Sequence, residues 1–250
     1  MTNSPQPKER PILFSAPMVR AILDGRKNVT RRPVKGGQIP VEDPSVAAGE
    51  RHRWMAIAQR DPRYGFGVFG ATEAECAKEL EEFAPCPYGR PGDRLWVRET
   101  WYCDHDEVMR GPYLKPDDLD IGEAREDGTL VYAADGLTPY EADQPVWKPS
   151  IHMPRWACRI LLEITDVRVE RLQDISEGQA VDEGLVWEGV KDGQTYWNHA
   201  DHRYPPGTHQ QFSVSGTDAV SAFRNLWKST GGDWDSNPWV WVVEFKRAQP

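Results

Sequence analysis

The stretch WACRILLEITDVRVERLQDI, residues 156–175, alternates apolar and polar side chains over a length that admits only one long strand or a bent pair. It commits the chain to a sheet, and other segments supply candidate neighbours. The closing NPWVWVVEFKRA is a strongly apolar strand that alternates only toward Glu244 and Lys246. PGDRLWVRETWYC opens on a Pro-Gly-Asp turn, after which Leu95 and Val97 alternate with Trp96 and Arg98. GTLVYAAD is a further short strand, and Ile12–Phe14 another.

Helices are signalled by their ends. After Phe14, Ser15 can cap a first turn that contains Pro17, where a missing N–H costs nothing, and Gly25 stands at the C-terminal glycine position. VTRRPVK then reads as a short extended segment. Thr72 with Glu75, and Ser176 with Gln179, have the spacing of a capping box. Val220, Phe223, Leu226 and Trp227 form a helical stripe ended by Gly231 and Gly232. No βαβ repetition appears, so the expectation is an α+β fold: a mostly antiparallel β-barrel or curled sheet with flanking helices. A single domain is expected over residues 11–247, with surface insertions at 38–90 and 191–216 and a flexible segment 1–10.

Charge narrows the partners. A net charge of −9 over 250 residues argues against tight, sequence-indifferent binding to long duplex DNA, whose affinity comes from neutralising phosphates. A local basic pocket remains open. No apolar run of about 20 residues exists to span a membrane, and no signal-peptide pattern follows the first residues, so a cytoplasmic protein is expected. The four cysteines lack CxxC or zinc-knuckle spacing, which suits reduced thiols. His199, His202 and His209 fall in the second insertion without an HExxH context, and neither metal nor cofactor is expected.

The most informative stretch is ILDGRKNVTRRPVK, where Lys27 and Thr30 stand three residues apart among arginines. A threonine hydroxyl becomes a nucleophile when a neighbouring base takes its proton. A lysine serves as that base when desolvation or nearby positive charge lowers its pKa, and Arg26, Arg31 and Arg32 are at hand. A backbone N–H near Gly25 would then stabilise an oxyanion. The competing reading makes both residues ordinary surface positions after a helix. Arg20, Arg26, Arg31, Arg32 and Lys35 form either a positive mouth or a solvated face. Trp96, Trp101, Tyr102 and Trp156 are candidates to stack on a base, with Trp101, at a strand end, the first choice for a pocket wall. Arg98 and Glu99 either bind substrate or pair with one another.

GRKNVTRR resembles the GxKxxExR signature of the ASCH domains, which share a PUA-like β-barrel: Gly25, Lys27 and Arg32 match, and Thr30 stands where many members carry glutamate. GDRLWVRE, EITDVRVERLQDISEGQAVDEG and WVVEFKR follow in the order of that family, so the resemblance covers most of the chain outside the two insertions. The opening ILFSAPMVRAILDGRK is similar to that of ASCH proteins from phages and prophages. Lys and Thr at these positions resemble the small bacterial ASCH amidohydrolases that deacetylate N4-acetylcytidine. That likeness implies a catalytic set of Lys27, Thr30 and Glu183, the glutamate lying on the helix after the long strand with Glu177 and Asp182 beside it. It also implies a modified nucleoside or short single-stranded RNA as ligand, near Gly25, Arg26, Arg32, Arg98, Glu99 and Trp101. The alternatives are a non-catalytic module for RNA or a modified nucleotide, and a ribonuclease. Rotation of about 100° per residue puts Glu183 on the inward flank of Ala180, toward Lys27, and leaves Asp182 in solvent.

Overall fold

A computed structural model describes residues 7–34, 39–61, 64–84, 86–109, 111–136, 147–191, 194–198 and 216–248. In chain order the elements are β1 (Glu9–Leu13), α1 (Ala16–Leu23), β2 (Val29–Pro33), β3 (Val41–Glu42), β4 (Trp54–Asp61), β5 (Tyr64–Gly70) and α2 (Glu73–Phe83). There follow β6 (Arg94–Arg98), β7 (Trp101–Cys103), α3 (Asp106–Met109), α4 (Ile121–Glu126), β8 (Leu130–Tyr132) and β9 (Leu161–Arg171). The chain closes with α5 (Glu177–Asp182), β10 (Val186–Lys191), β11 (Gln194–Asn198), α6 (Ala219–Ser229) and β12 (Trp239–Arg247). The fold is α+β, and none of the described helices is long and apolar enough to cross a membrane.

The main sheet has five strands in the order β1-β6-β9-β12-β2, antiparallel except for the parallel pair β1/β6. Its edges, β1 and β2, do not pair, so hydrogen bonds do not close it into a barrel. It is nevertheless strongly curled. A flat sheet of five strands would hold its edges roughly 19 Å apart, yet Arg32 Nη2 on β2 donates to the Leu13 carbonyl on β1 at 2.7 Å. A side chain spans the seam that a barrel would close with backbone.

β12 is buried on both faces, which is why it hardly alternates. Trp239, Trp241, Val243 and Phe245 join Phe14, Val19, Ile22 and Leu162 in one core. Val240 and Val242 pack on the other side against Phe223, Leu226 and Trp227 of α6 and against Leu172, Ile175 and Ala180. The Ser176–Gln179 capping box is formed, and Asp218 with Ser221 makes another at the start of α6.

Several expectations are corrected. The first strand begins at Glu9, where Lys8 N–H and Arg10 bind the Asp93 carboxylate, so residues 9–10 are not a flexible lead-in. Segment 38–90 is not shapeless: β4 and β5 form a hairpin under α2, with Ala56, Ala58, Val68, Cys76 and Leu80 as a core of its own. Its alternation is carried by alanine and glycine, which give a weak hydrophobic signal. The second insertion is not loop alone: β11 lies within it and pairs with β10, whose last residue, Lys191, opens it. His199, His202 and His209 lie outside the described residues, among which no group of three or more metal-ligating side chains occurs.

Candidate functional site

The site grows from the junction of α1 and α5. Gly25, at φ +73°, turns the chain out of α1, and the N–H groups of Arg26 and Lys27 both donate to the Ala21 carbonyl. Lys27 thereby lies antiparallel to Glu183, and Asn28 N–H donates to the Asp182 carbonyl. Contact is this close because residue 184 is glycine. A Cβ there would stand 2.8 Å from Ala21 Cβ and 3.2 Å from Lys27 Cβ, at a φ of +100°. The Gly184 carbonyl is in turn held by Arg26 Nη1 at 2.8 Å. Gly184→Ala is therefore expected to lose at least about 1–3 kcal/mol from backbone strain alone, with overlap added. A denaturant melt checks this, and an unchanged midpoint would mean that the α1–α5 junction is looser than the geometry implies.

Lys27 is a fully buried lysine with every donor placed. Nζ donates to the Val29 carbonyl at 2.8 Å, to the Glu183 carbonyl at 3.0 Å and to Glu183 Oε2 at 2.5 Å, which uses all three ammonium protons. The other carboxylate oxygen, Oε1, accepts from Arg31 Nη1 at 3.2 Å. Both cationic side chains are wholly inaccessible, and that of Glu183 is only 3 % exposed. Burial holds the Lys27 pKa below its ordinary value; Glu183 opposes this, while Arg32 and Arg31 push it further down. Arg31 Nη2 also faces Glu170 Oε2 at 3.5 Å, an ion pair without a hydrogen bond. The Phe14 ring lies beneath both cations, 5.7 Å from Lys27 Nζ and 5.3 Å from the Arg32 guanidinium carbon.

Glu183 and Arg31 of this cluster, but not Lys27, line a cavity of about 400 Å³ at the sheet seam, with Ser15, Thr30, Arg32 and the α6 residue Trp227 among the other lining residues. Among the described residues the Thr30 hydroxyl has no hydrogen-bond partner, so it is open to a ligand. Ser15 occupies the N-cap position of α1, yet its side chain makes no capping bond. A second cavity of about 450 Å³ reaches Lys27 from the α5 side, past Asn28, Thr165, Asp182 and Lys246.

Thus Thr30, Arg32 and Glu183 line one cavity, Lys27 is tied to them through Glu183 while lining the other cavity, and other expected site residues do not join them. The Gly25 N–H donates to the Ile22 carbonyl, so it is not a free oxyanion donor. Arg26 binds Asp24 and Gly184 and positions Glu183 from behind. Arg98 ends β6 and Glu99 lies just past it, and the two side chains take separate partners. Arg98 binds the Ile151 and Met153 carbonyls, whereas Glu99 forms a bidentate pair with Arg159 at 2.9 Å. Trp101 is a core residue rather than a pocket wall, fully buried edge-on to Tyr113 and Trp156. Asp182 is half-buried and only 3.5 Å from Asn28 Nδ2, not fully solvated as expected. Arg20 reaches the Ala134 carbonyl, and Lys35 lies outside the described residues. Sequence reasoning missed Arg31 as the second partner of Glu183 and α6 as a cavity wall. The apolar stripe on α6 was the available signal, but its registry against β2 was not.

No protein-family model, no curated protein and no solved structure matches the chain.

Proposed function

We propose that the chain is an amidohydrolase that removes an acyl group from a modified pyrimidine nucleoside or base of the N4-acetylcytidine kind. One observation carries this reading: an unpartnered Thr30 hydroxyl faces a cavity lined by Arg31 and by Glu183, whose carboxylate is bonded to the buried Lys27. The resemblance of GRKNVTRR to the ASCH motif supports it.

The residues define a balanced reaction. Thr30 Oγ1 attacks the acyl carbon, and its proton passes to the Lys27–Glu183 unit. Guanidinium N–H groups of Arg31 and Arg32 offer donors to the oxyanion. The C–N bond breaks, and the leaving amine of the base takes the proton back. Water then cleaves the Thr30 ester to give a carboxylic acid and free enzyme. For Lys27 to accept a proton it must first be neutral. Burial favours that form, and Glu183 Oε2 at 2.5 Å is placed to take the proton it gives up.

A different observation favours the alternative, a module that binds a modified nucleotide or short single-stranded RNA without turnover. All three Lys27 protons already have acceptors, which suits a structural ammonium as well as a catalytic one.

The deciding experiment is release of free cytidine from N4-acetylcytidine. Wild type should turn the compound over, and Lys27→Met should lower the rate at least about a hundredfold, the lower end for removing a positioned acid–base group. Because Lys27 is buried, a melt must accompany the assay. No turnover by wild type leaves the binding reading ahead, and unchanged turnover in a folded Lys27→Met variant removes Lys27 from the mechanism.

A further inference from the structure

We infer that the ligand of the Thr30 cavity carries a fixed negative group, a carboxylate or a phosphate, held by Arg32; this rests on the acyl-hydrolase reading for the identity of the substrate, though not for the anion site itself. Two guanidinium groups and one carboxylate line the cavity. Both oxygens of that carboxylate, Glu183, are already engaged, one by Lys27 and one by Arg31. Arg32 has no carboxylate partner among the described residues; its one bond is to the Leu13 carbonyl. Locally, then, positive charge exceeds negative in a chain that is acidic overall.

The donors tell the same story at atomic scale. Arg31 Nε, Arg31 Nη2 and Arg32 Nε are buried without a hydrogen-bond partner. Nη2 has Glu170 Oε2 at 3.5 Å, but the two Nε–H groups have no acceptor among the described residues. Buried charged donors are rarely left empty, because each forfeits its hydration without return. An oxygen-rich anion satisfies such groups better than a neutral amide does, since guanidinium edges match carboxylate and phosphate geometry. The Phe14 ring 5.3 Å from the Arg32 guanidinium carbon, and the Phe223 ring 6.0 Å from that of Arg31, restrain both planes. Thr30 shares its face of strand β2 with Arg32, two residues further on, so the bound anion sits beside the attacking oxygen.

The shared chemistry has two sources: a carboxylate at the end of the acyl chain, or a phosphate on the nucleotide. Four compounds separate them: N4-acetylcytidine, N4-succinylcytidine, N4-acetylcytidine 5′-monophosphate and inorganic phosphate. Wild-type KM, and Kd by calorimetry, should be about tenfold lower for at least one anionic nucleoside than for the neutral one, the gain of one charge-assisted hydrogen bond. Advantage for the succinyl compound alone places the charge on the acyl chain; advantage for the monophosphate alone, or competition by inorganic phosphate, places it on the nucleotide. In Arg32→Gln the ratio of anionic to neutral binding should collapse toward one, and Arg32→Lys should keep part of it. Loss of the Leu13 bond threatens the fold of the glutamine variant, so the wild-type comparison stands without it. Equal Kd values for neutral and anionic compounds, with no phosphate binding, overturn the inference. Absence of turnover with preserved anion preference overturns only the acyl-hydrolase reading.

Discussion

Glu183→Ala is expected to destabilise the chain by about 3–5 kcal/mol, the usual cost of removing one partner from a buried ion pair. Its carboxylate is shared between Lys27 and Arg31, whose side chains are wholly inaccessible, so both cations lose their counter-charge at once. Arg31 retains Glu170 at 3.5 Å. Lys27 retains only carbonyl oxygens and escapes by shedding its proton. At pH 7 that release costs about 5 kcal/mol for a lysine of ordinary pKa, which caps the penalty at a value large enough to unfold a marginal domain. The sign of the pH dependence follows. The unfolded variant holds the Lys27 proton up to the ordinary value of 10.5, whereas the folded variant releases it earlier. The unfolded state therefore binds more protons in that window, and stability rises with pH. Urea titrations at neutral and alkaline pH measure both effects. A Lys27→Met/Glu183→Met double variant should recover most of the loss, since a packed apolar pair often equals or exceeds an ion pair. A single-variant loss under about 1 kcal/mol would mean that water reaches the pair in solution.

The placement of Glu183 was legible because helical geometry outlasts the helix. Glu183 is already the C-cap, but its backbone stays right-handed at φ −70° and ψ −2°, so the rotation from buried Ala180 continues one residue further. The long strand β9 and the two-face burial of β12 could likewise be read from alternation and its loss. What was illegible depends on contacts between elements remote in sequence. Nothing local says that Arg32 spans the sheet seam to Leu13, or that Arg159 takes Glu99 and Asp135 together. Trp101 had the right strand-end position for a pocket wall. It is instead covered by Tyr113 and Trp156, one from the loop after α3 and one from the segment before β9. Curling also falls in this class: strand order and register decide it, and the sequence pattern of a curled sheet matches that of a closed barrel.

Thr30→Val should abolish hydrolysis, by at least about a hundredfold, while leaving the fold intact. Thr30 is 3 % exposed and sits on β2 opposite Val243, so valine keeps the volume and suits the strand. Its hydroxyl makes no hydrogen bond among the described residues, so removing it leaves no buried partner unsatisfied and should cost little stability. The absence of a structural role for this oxygen makes the test clean. Thr30→Ser keeps the nucleophile but frees its rotation, because the second substituent on Cβ that restricts χ1 is gone; partial activity is expected. The order threonine, then serine, then valine in rate, with near-equal melting points, supports the hydroxyl as the attacking group. Trapping sharpens this further: if Thr30 carries the acyl group, a mass increment equal to the acyl chain should appear on the peptide containing residue 30 after rapid quench, and vanish in Thr30→Val. Equal losses in the serine and valine variants would assign Thr30 to packing and leave attack to water.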